Sequence, residues 1–129
     1  MNKVLDNYLK DDFYYVDSKT VDDSTFNANI RFNASHWIYS CHFPENPITP
    51  GVCIVQVARE LIAEHYRNPF KIAVLKNIKF MNIINPVTSG VVRFACTLQN
   101  DTDGNIRATC TVENDSMVFS KISMILCPL

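Results

Sequence analysis

No segment of this 129-residue chain approaches the roughly 18 consecutive apolar residues that a membrane-spanning helix needs. The opening residues, Met1 onward, hold no apolar run suited to a secretory leader, so a cytoplasmic location is expected. An excess of one charge is also lacking. The formal net charge is -1, which argues against a nucleic-acid binder with its usual basic surplus. Cys-x-x-Cys spacing is absent, and Cys41, Cys53, Cys96, Cys110 and Cys127 are odd in number. Neither a zinc site nor a disulfide framework follows, and five reduced thiols, mostly small buried residues, are expected. Nothing in the composition suggests a disordered tail, and no repeat or domain boundary interrupts the chain. Hydrophobic residues at 47% and charged residues at 19% suit one domain over residues 1–129 with one core.

What is present reads as strands around a single long helix. Residues 1–12 are polar and mixed, compatible with a short leading helix. Residues 13–21 and 25–33 read as two strands. Phe26, Ala28, Ile30 and Phe32 alternate with Asn27, Asn29 and Arg31, the period of a half-buried strand. Asp22-Asp23-Ser24 supplies the turn. Residues 34–50 contain Pro44, Pro47 and Pro50, which remove backbone donors and fix φ, so an irregular, stiffened loop is expected there. Such a loop in so small a domain is usually functional.

A helix is expected over residues 51–66, with Thr49 at the N-cap and Pro50 at the first helical position. Ile54, Val55, Ala58, Leu61 and Ile62 cover its apolar face, and Gln56, Arg59, Glu60 and Glu64 fall on the other side. Asn68-Pro69 ends it. Residues 71–84, 91–99, 106–113 and 117–126 then read as four strands, with Asp103-Gly104 and Asn114-Asp115 as turns. One helix cannot supply crossovers for four strands, so an antiparallel meander is expected, curved around the helix in an α+β arrangement.

The segment His42-Phe43-Pro44-Glu45-Asn46-Pro47-Ile48-Thr49-Pro50-Gly51-Val52 resembles the active-site motif of the β-hydroxyacyl-acyl-carrier-protein dehydratases. Its three prolines, spaced as they are just before a helix, make a chance match improbable. More loosely, Phe13-Tyr14-Tyr15-Val16-Asp17 looks like that family's opening strand. Lys76-Asn77-Ile78-Lys79-Phe80, followed by Asn85-Pro86, looks like its strand after the helix. The resemblance implies the hot-dog fold, in agreement with the strand order read independently.

It also implies a chemistry. Dehydration removes a proton from the carbon beside a thioester carbonyl, and a neutral imidazole can accept it near physiological pH. By position His42 is the family's general base. Gly51 and Val52, at a helix N-terminus with unpaired N–H groups, are the expected oxyanion donors, and Gly51 lets the backbone approach a ligand. Phe43, Pro44, Pro47 and Pro50 shape the loop. His36 and His65 carry no motif and read as surface or packing residues. Cys41 stands where the family commonly has glycine, and a side chain there would narrow the mouth of the site. Adjacent residues of an extended segment point apart, which argues against Cys41 as a nucleophile activated by His42.

The chain departs from the family at its second catalytic group. The helix carboxylate, fourteen positions after the histidine, is here Gln56, and one turn later, where glutamine commonly follows, stands Glu60. The pair is reversed, and four-residue spacing lets the two side chains touch. Three readings stay open. Glu60 takes the acid role, directly or through a water held by Gln56. Alternatively His42 works alone while Gln56 orients the leaving hydroxyl. In the third, the chain binds acyl groups without dehydrating them. The favoured function is a 3-hydroxyacyl-[acyl-carrier-protein] dehydratase, with catalytic positions His42, Gln56 and Glu60. A non-catalytic acyl-binding relative is the alternative, followed by a hot-dog thioesterase.

No cofactor or metal is implied. The resemblance implies acyl carrier protein as partner and a homodimer or higher oligomer, in which the loop histidine of one subunit faces the helix of the other. Arg67, Lys71, Lys76, Lys79 and Arg93 are candidates to border the entrance for the acidic carrier.

Overall fold

The computed structural model describes residues 7–41 and 45–129. Among them the chain order is β1 Tyr14–Val21, β2 Thr25–Phe32, α1 Trp37–Cys41, α2 Gly51–Tyr66, β3 Phe70–Phe80, β4 Val92–Asn100, β5 Ile106–Glu113 and β6 Val118–Pro128. All strand pairings are antiparallel, in one curved sheet of order β1-β2-β4-β5-β6-β3. The late strands are thus not one continuous meander. β4, β5 and β6 follow in turn, but β3, which comes directly after α2 in the chain, lies beyond β6 at the sheet edge. Register shifts between Ile72 and Val74 and between Leu75 and Asn77 interrupt the β3–β6 ladder, and such bulges bend and twist a strand.

The alternation read in β2 is real: Phe26, Ala28, Ile30 and Phe32 are buried. The same inward period in β4, β5 and β6 places Phe94, Cys96, Val112, Ile122 and Met124 in the same core as the buried residues of α2. The helix is buried on more than its apolar stripe. Arg59 and Glu60, expected on the polar side, are 6% and 0% exposed. A sheet that curls round a helix leaves no solvent face along its middle, so polar side chains there must find partners.

Three local expectations are corrected. A helix, α1, does form within residues 34–50, because its five residues end before Pro44. His36 caps it, its Nδ1 accepting the Ile38 N–H at 3.1 Å. Pro50, not Thr49, is the N-cap of α2, with φ −62° and ψ 140° and no side-chain cap bond. The Thr49 hydroxyl instead meets the Tyr39 hydroxyl at 2.9 Å. Residues 7–12 form turns and one bridge, Lys10 to Tyr14, rather than a helix; the part of that expected helix in residues 1–6 lies outside the described residues.

Candidate active site on the central helix

The first turn of α2 is open. Cys53 and Ile54 donate their N–H groups to the Pro50 carbonyl at 3.0 and 3.2 Å. Among the described residues, neither the Gly51 nor the Val52 N–H bonds a backbone carbonyl. These are the ordinary orphan donors of a helix start. The Val52 side chain is 77% exposed. Beside this turn lies a cavity of about 370 Å³ with a mainly apolar wall, including Ile48, Gly51, Ile54, Phe80, Ile83 and Ile84. Strand β3 delivers Phe80 directly over Gly51. A Cβ on that glycine would stand 2.7 Å from the ring Cζ. The close approach that glycine permits is therefore already used by a side chain of this protein, which forms one wall of the cavity.

His42, Phe43 and Pro44 lie outside the described residues. Of the rest of the motif, Pro47 and Pro50 are half-buried and Thr49 is buried. Cys41 is exposed at the end of α1. His36 is buried, edge-on to Phe13 at 5.2 Å, with Nε2 3.1 Å from Asp12. His65 is half-buried and stacks on Phe26 at 5.1 Å. Both therefore pack, as expected. All five cysteines are free. Cys96 and Cys110, opposite each other in the β4–β5 register, bring their Sγ atoms within 2.7 Å inside the core. Among the described residues no three His, Cys, Asp or Glu side chains gather where they could hold a metal ion.

Gln56 and Glu60 do meet, as their spacing requires. Gln56 Nε2 donates to Glu60 Oε2 at 2.8 Å, and Gln56 Oε1 accepts from Arg59 Nε at 3.4 Å. Glu60 receives far more than this one bond. The backbone N–H of Leu9 lies 3.2 and 3.1 Å from its two oxygens, that of Lys10 lies 3.0 Å away, and the Tyr14 hydroxyl donates at 3.2 Å. Burial first, then the adjacent Glu60 carboxylate, pushes the Tyr14 phenol far above its ordinary pKa of 10.0, so it stays a donor. Glu64, one turn further, is partly exposed and pairs with Lys10 at 3.2 Å.

Gly51 and Gln56 sit about 140° apart around a helix of 3.6 residues per turn. The structure thus gathers the cavity around Gly51 and groups Gln56 with Glu60, but it does not bring the two groups onto one face of one chain. Sequence reasoning named Phe80 only as part of a strand and Tyr14 only as part of another. It missed the donors of Leu9 and Lys10, because backbone N–H groups leave no mark on residue identity.

Among the described residues no helix is long and apolar enough to cross a membrane. The fold is that of several solved structures. The ApeI:P dehydratase heterocomplex of Xenorhabdus doucetiae superposes with a TM-score of 0.66 at 13% identity, over 87% of this chain and 96% of that one. A conserved protein of Pseudomonas aeruginosa gives 0.61 at 9% identity, over 85% of each chain. A mutant thioesterase from the same organism gives 0.56 at 14% identity, over 85% of this chain and 79% of that one. Likeness at such identities shows the hot-dog fold alone, and no curated protein matches the chain in sequence. The family model described as ApeI dehydratase, however, matches residues 18–121, and the chain belongs to the ApeI-like dehydratase family.

Proposed function

We propose that this chain dehydrates 3-hydroxyacyl thioesters carried by acyl carrier protein, with His42 as the proton-transfer group. Membership of a dehydratase family carries the reading, and the apolar cavity at the open first turn of α2 supports it. In the proposed step the neutral His42 imidazole takes the proton from the carbon beside the thioester carbonyl. The oxyanion that develops is met by the Gly51 and Val52 N–H groups, with the helix dipole behind them. The bond from C3 to the hydroxyl then breaks, the imidazolium returns its proton to that oxygen, and water leaves. The thioester is left 2,3-unsaturated and His42 is neutral again. Gln56 orients the leaving hydroxyl. It cannot donate a proton near neutral pH, and lacking a separate acid lowers the rate by roughly 10²- to 10⁴-fold. That loss slows catalysis without abolishing it.

Two copies are part of the proposal. The angular separation of Gly51 from Gln56 suits a site in which one subunit supplies His42 and Gly51 and the other supplies Gln56. The β3 edge suits a pairing surface, because it leaves Val74, Leu75 and Phe80 about half exposed. For the acidic carrier, Lys79 and Lys121 stand directly opposite each other on exposed positions of β3 and β6. Like charges so placed repel, and an anionic partner would relieve them.

The non-catalytic acyl-binding reading is favoured by one observation, the amide at position 56. Purified protein offered a panel of 3-hydroxyacyl carrier proteins separates the two. Loss of water from the acyl chain, seen by mass spectrometry, supports the dehydratase. Binding without turnover, in wild type and in Gln56→Glu, supports the acyl-binding protein. Release of free acid would instead indicate a thioesterase. Sedimentation of the same sample should give a dimer or larger assembly, and a monomer at every concentration would contradict the two-copy site.

A further inference from the structure

We infer that Glu60 is a positioning residue, which acts through Gln56 by holding its side-chain amide in one orientation and takes no part in proton transfer. The inference rests on the reading above only in taking position 56 as the one that meets the substrate.

Among the described residues, every hydrogen-bond partner of the Glu60 carboxylate is a donor: two backbone N–H groups, a phenol and an amide. An ionised carboxylate satisfies all of them because it only accepts. A protonated one would turn its O–H against donors. The residue is 0% exposed, so it offers no surface to a substrate, whereas Gln56 is half-buried and keeps some.

The amide of Gln56 is clamped from both ends. Its Nε2 faces the carboxylate at 2.8 Å, and its Oε1 faces the Arg59 guanidinium, whose Nη1 is itself tied to the Phe70 carbonyl at 3.0 Å. Flipping the amide would set oxygen against carboxylate and N–H against guanidinium, two repulsive contacts in place of two attractive ones. What Gln56 can offer a ligand is therefore fixed: the second N–H of Nε2 and the remaining lone pair of Oε1. A charge-assisted bond is about twice as strong as a neutral one, which is why a carboxylate orients the amide better than a second amide would. The same carboxylate ties down the backbone of Leu9 and Lys10, and Asn7 Nδ2 adds a bond to the main-chain carbonyl of Glu60 at 3.3 Å.

The test uses the full chain and has two readouts. In ¹⁵N-labelled protein the Gln56 side-chain amide, identified by its loss in Gln56→Glu, should show two well-separated protons, the one facing Glu60 shifted downfield. Glu60→Gln should narrow that separation. Tyr14→Phe, which loosens the same carboxylate without touching Gln56, should leave it in place. Unchanged Gln56 signals in Glu60→Gln, or equal changes in both variants, would overturn the inference by reducing Glu60 to a general structural support.

The second readout is the pH dependence of kcat. Glu60→Gln should lower kcat by less than about 10²-fold and keep the shape of the profile, and the swapped pair Gln56→Glu with Glu60→Gln should alter that shape. Loss of one limb of the profile in Glu60→Gln, with a fall of 10²-fold or more, would make Glu60 the acid and overturn the inference. If the wild type does not dehydrate at all, the proposed function fails while the amide signals still decide the role of Glu60.

Discussion

The first and third turns of α2 hold polar groups in opposite circumstances. At the first turn the Gly51 and Val52 N–H groups are unused by the backbone of the described residues and adjoin a cavity. At the third, Glu60 is wholly enclosed and four donors saturate its carboxylate. The difference separates groups available to a ligand from groups already engaged by the fold. A helix start has orphan donors by geometry, whatever its sequence, and stays reactive if nothing covers it. A carboxylate in the middle of a wrapped helix is tolerated only when fully bonded, and full bonding removes it from chemistry.

The largest effect should come from breaking the closed region. Glu60→Leu leaves the Leu9 and Lys10 N–H groups, the Tyr14 hydroxyl and the Gln56 amide without their acceptor. At about 1–3 kcal/mol for each buried unsatisfied group, a loss of at least about 3 kcal/mol is expected in urea unfolding. A loss below about 1 kcal/mol would mean that the carboxylate is not the anchor of the Leu9 and Lys10 backbone.

Tyr14→Phe removes one of those donors and keeps the ring, so a smaller loss of about 1.5–3 kcal/mol is expected. It should also change the response to alkali. Folding holds the Tyr14 proton more tightly than the unfolded chain does, so the stabilisation is complete below pH 10.0 and is lost as pH rises above it. Tyr39, also raised by burial, adds to the same trend. Wild type should therefore lose stability steeply above about pH 10, and Tyr14→Phe less steeply, as followed by thermal melts across that range.

The smallest effect on stability should come from the open region. Gly51→Ala pushes only the far end of the Phe80 ring, which is 53% exposed and can swing away, so a change under about 1 kcal/mol is expected. The cavity wall would move, and acyl-substrate KM should change. Phe80→Ala in the same chain should remove the clash, so the double variant should depart from additivity. Strict additivity would show that the ring does not rest on Gly51 in solution.

Much of this was legible in the sequence. Period-two alternation located β2, and the bounds of α2 and β5 were read to the residue, because one apolar face determines each. The place of β3 was not legible. Its own pattern is nearly all exposed, so nothing in it says which strand it pairs with. The touch between Gln56 and Glu60 followed from helical spacing. The burial of Glu60 did not, because it depends on how far the sheet curls and on where the backbone of residues 9 and 10 crosses the helix. Thr49 misled for a related reason: as a helix cap it competes with a tertiary partner, Tyr39, that lies ten residues away in a segment expected to be irregular.

The most direct test of where the proton chemistry resides is turnover of 3-hydroxyacyl carrier protein by wild type and His42→Ala, with folding checked in both. Wild type should release water and form the 2,3-unsaturated thioester, and His42→Ala should lose nearly all of that activity, by 10²-fold or more. Full activity in His42→Ala would contradict the proposed mechanism at its centre.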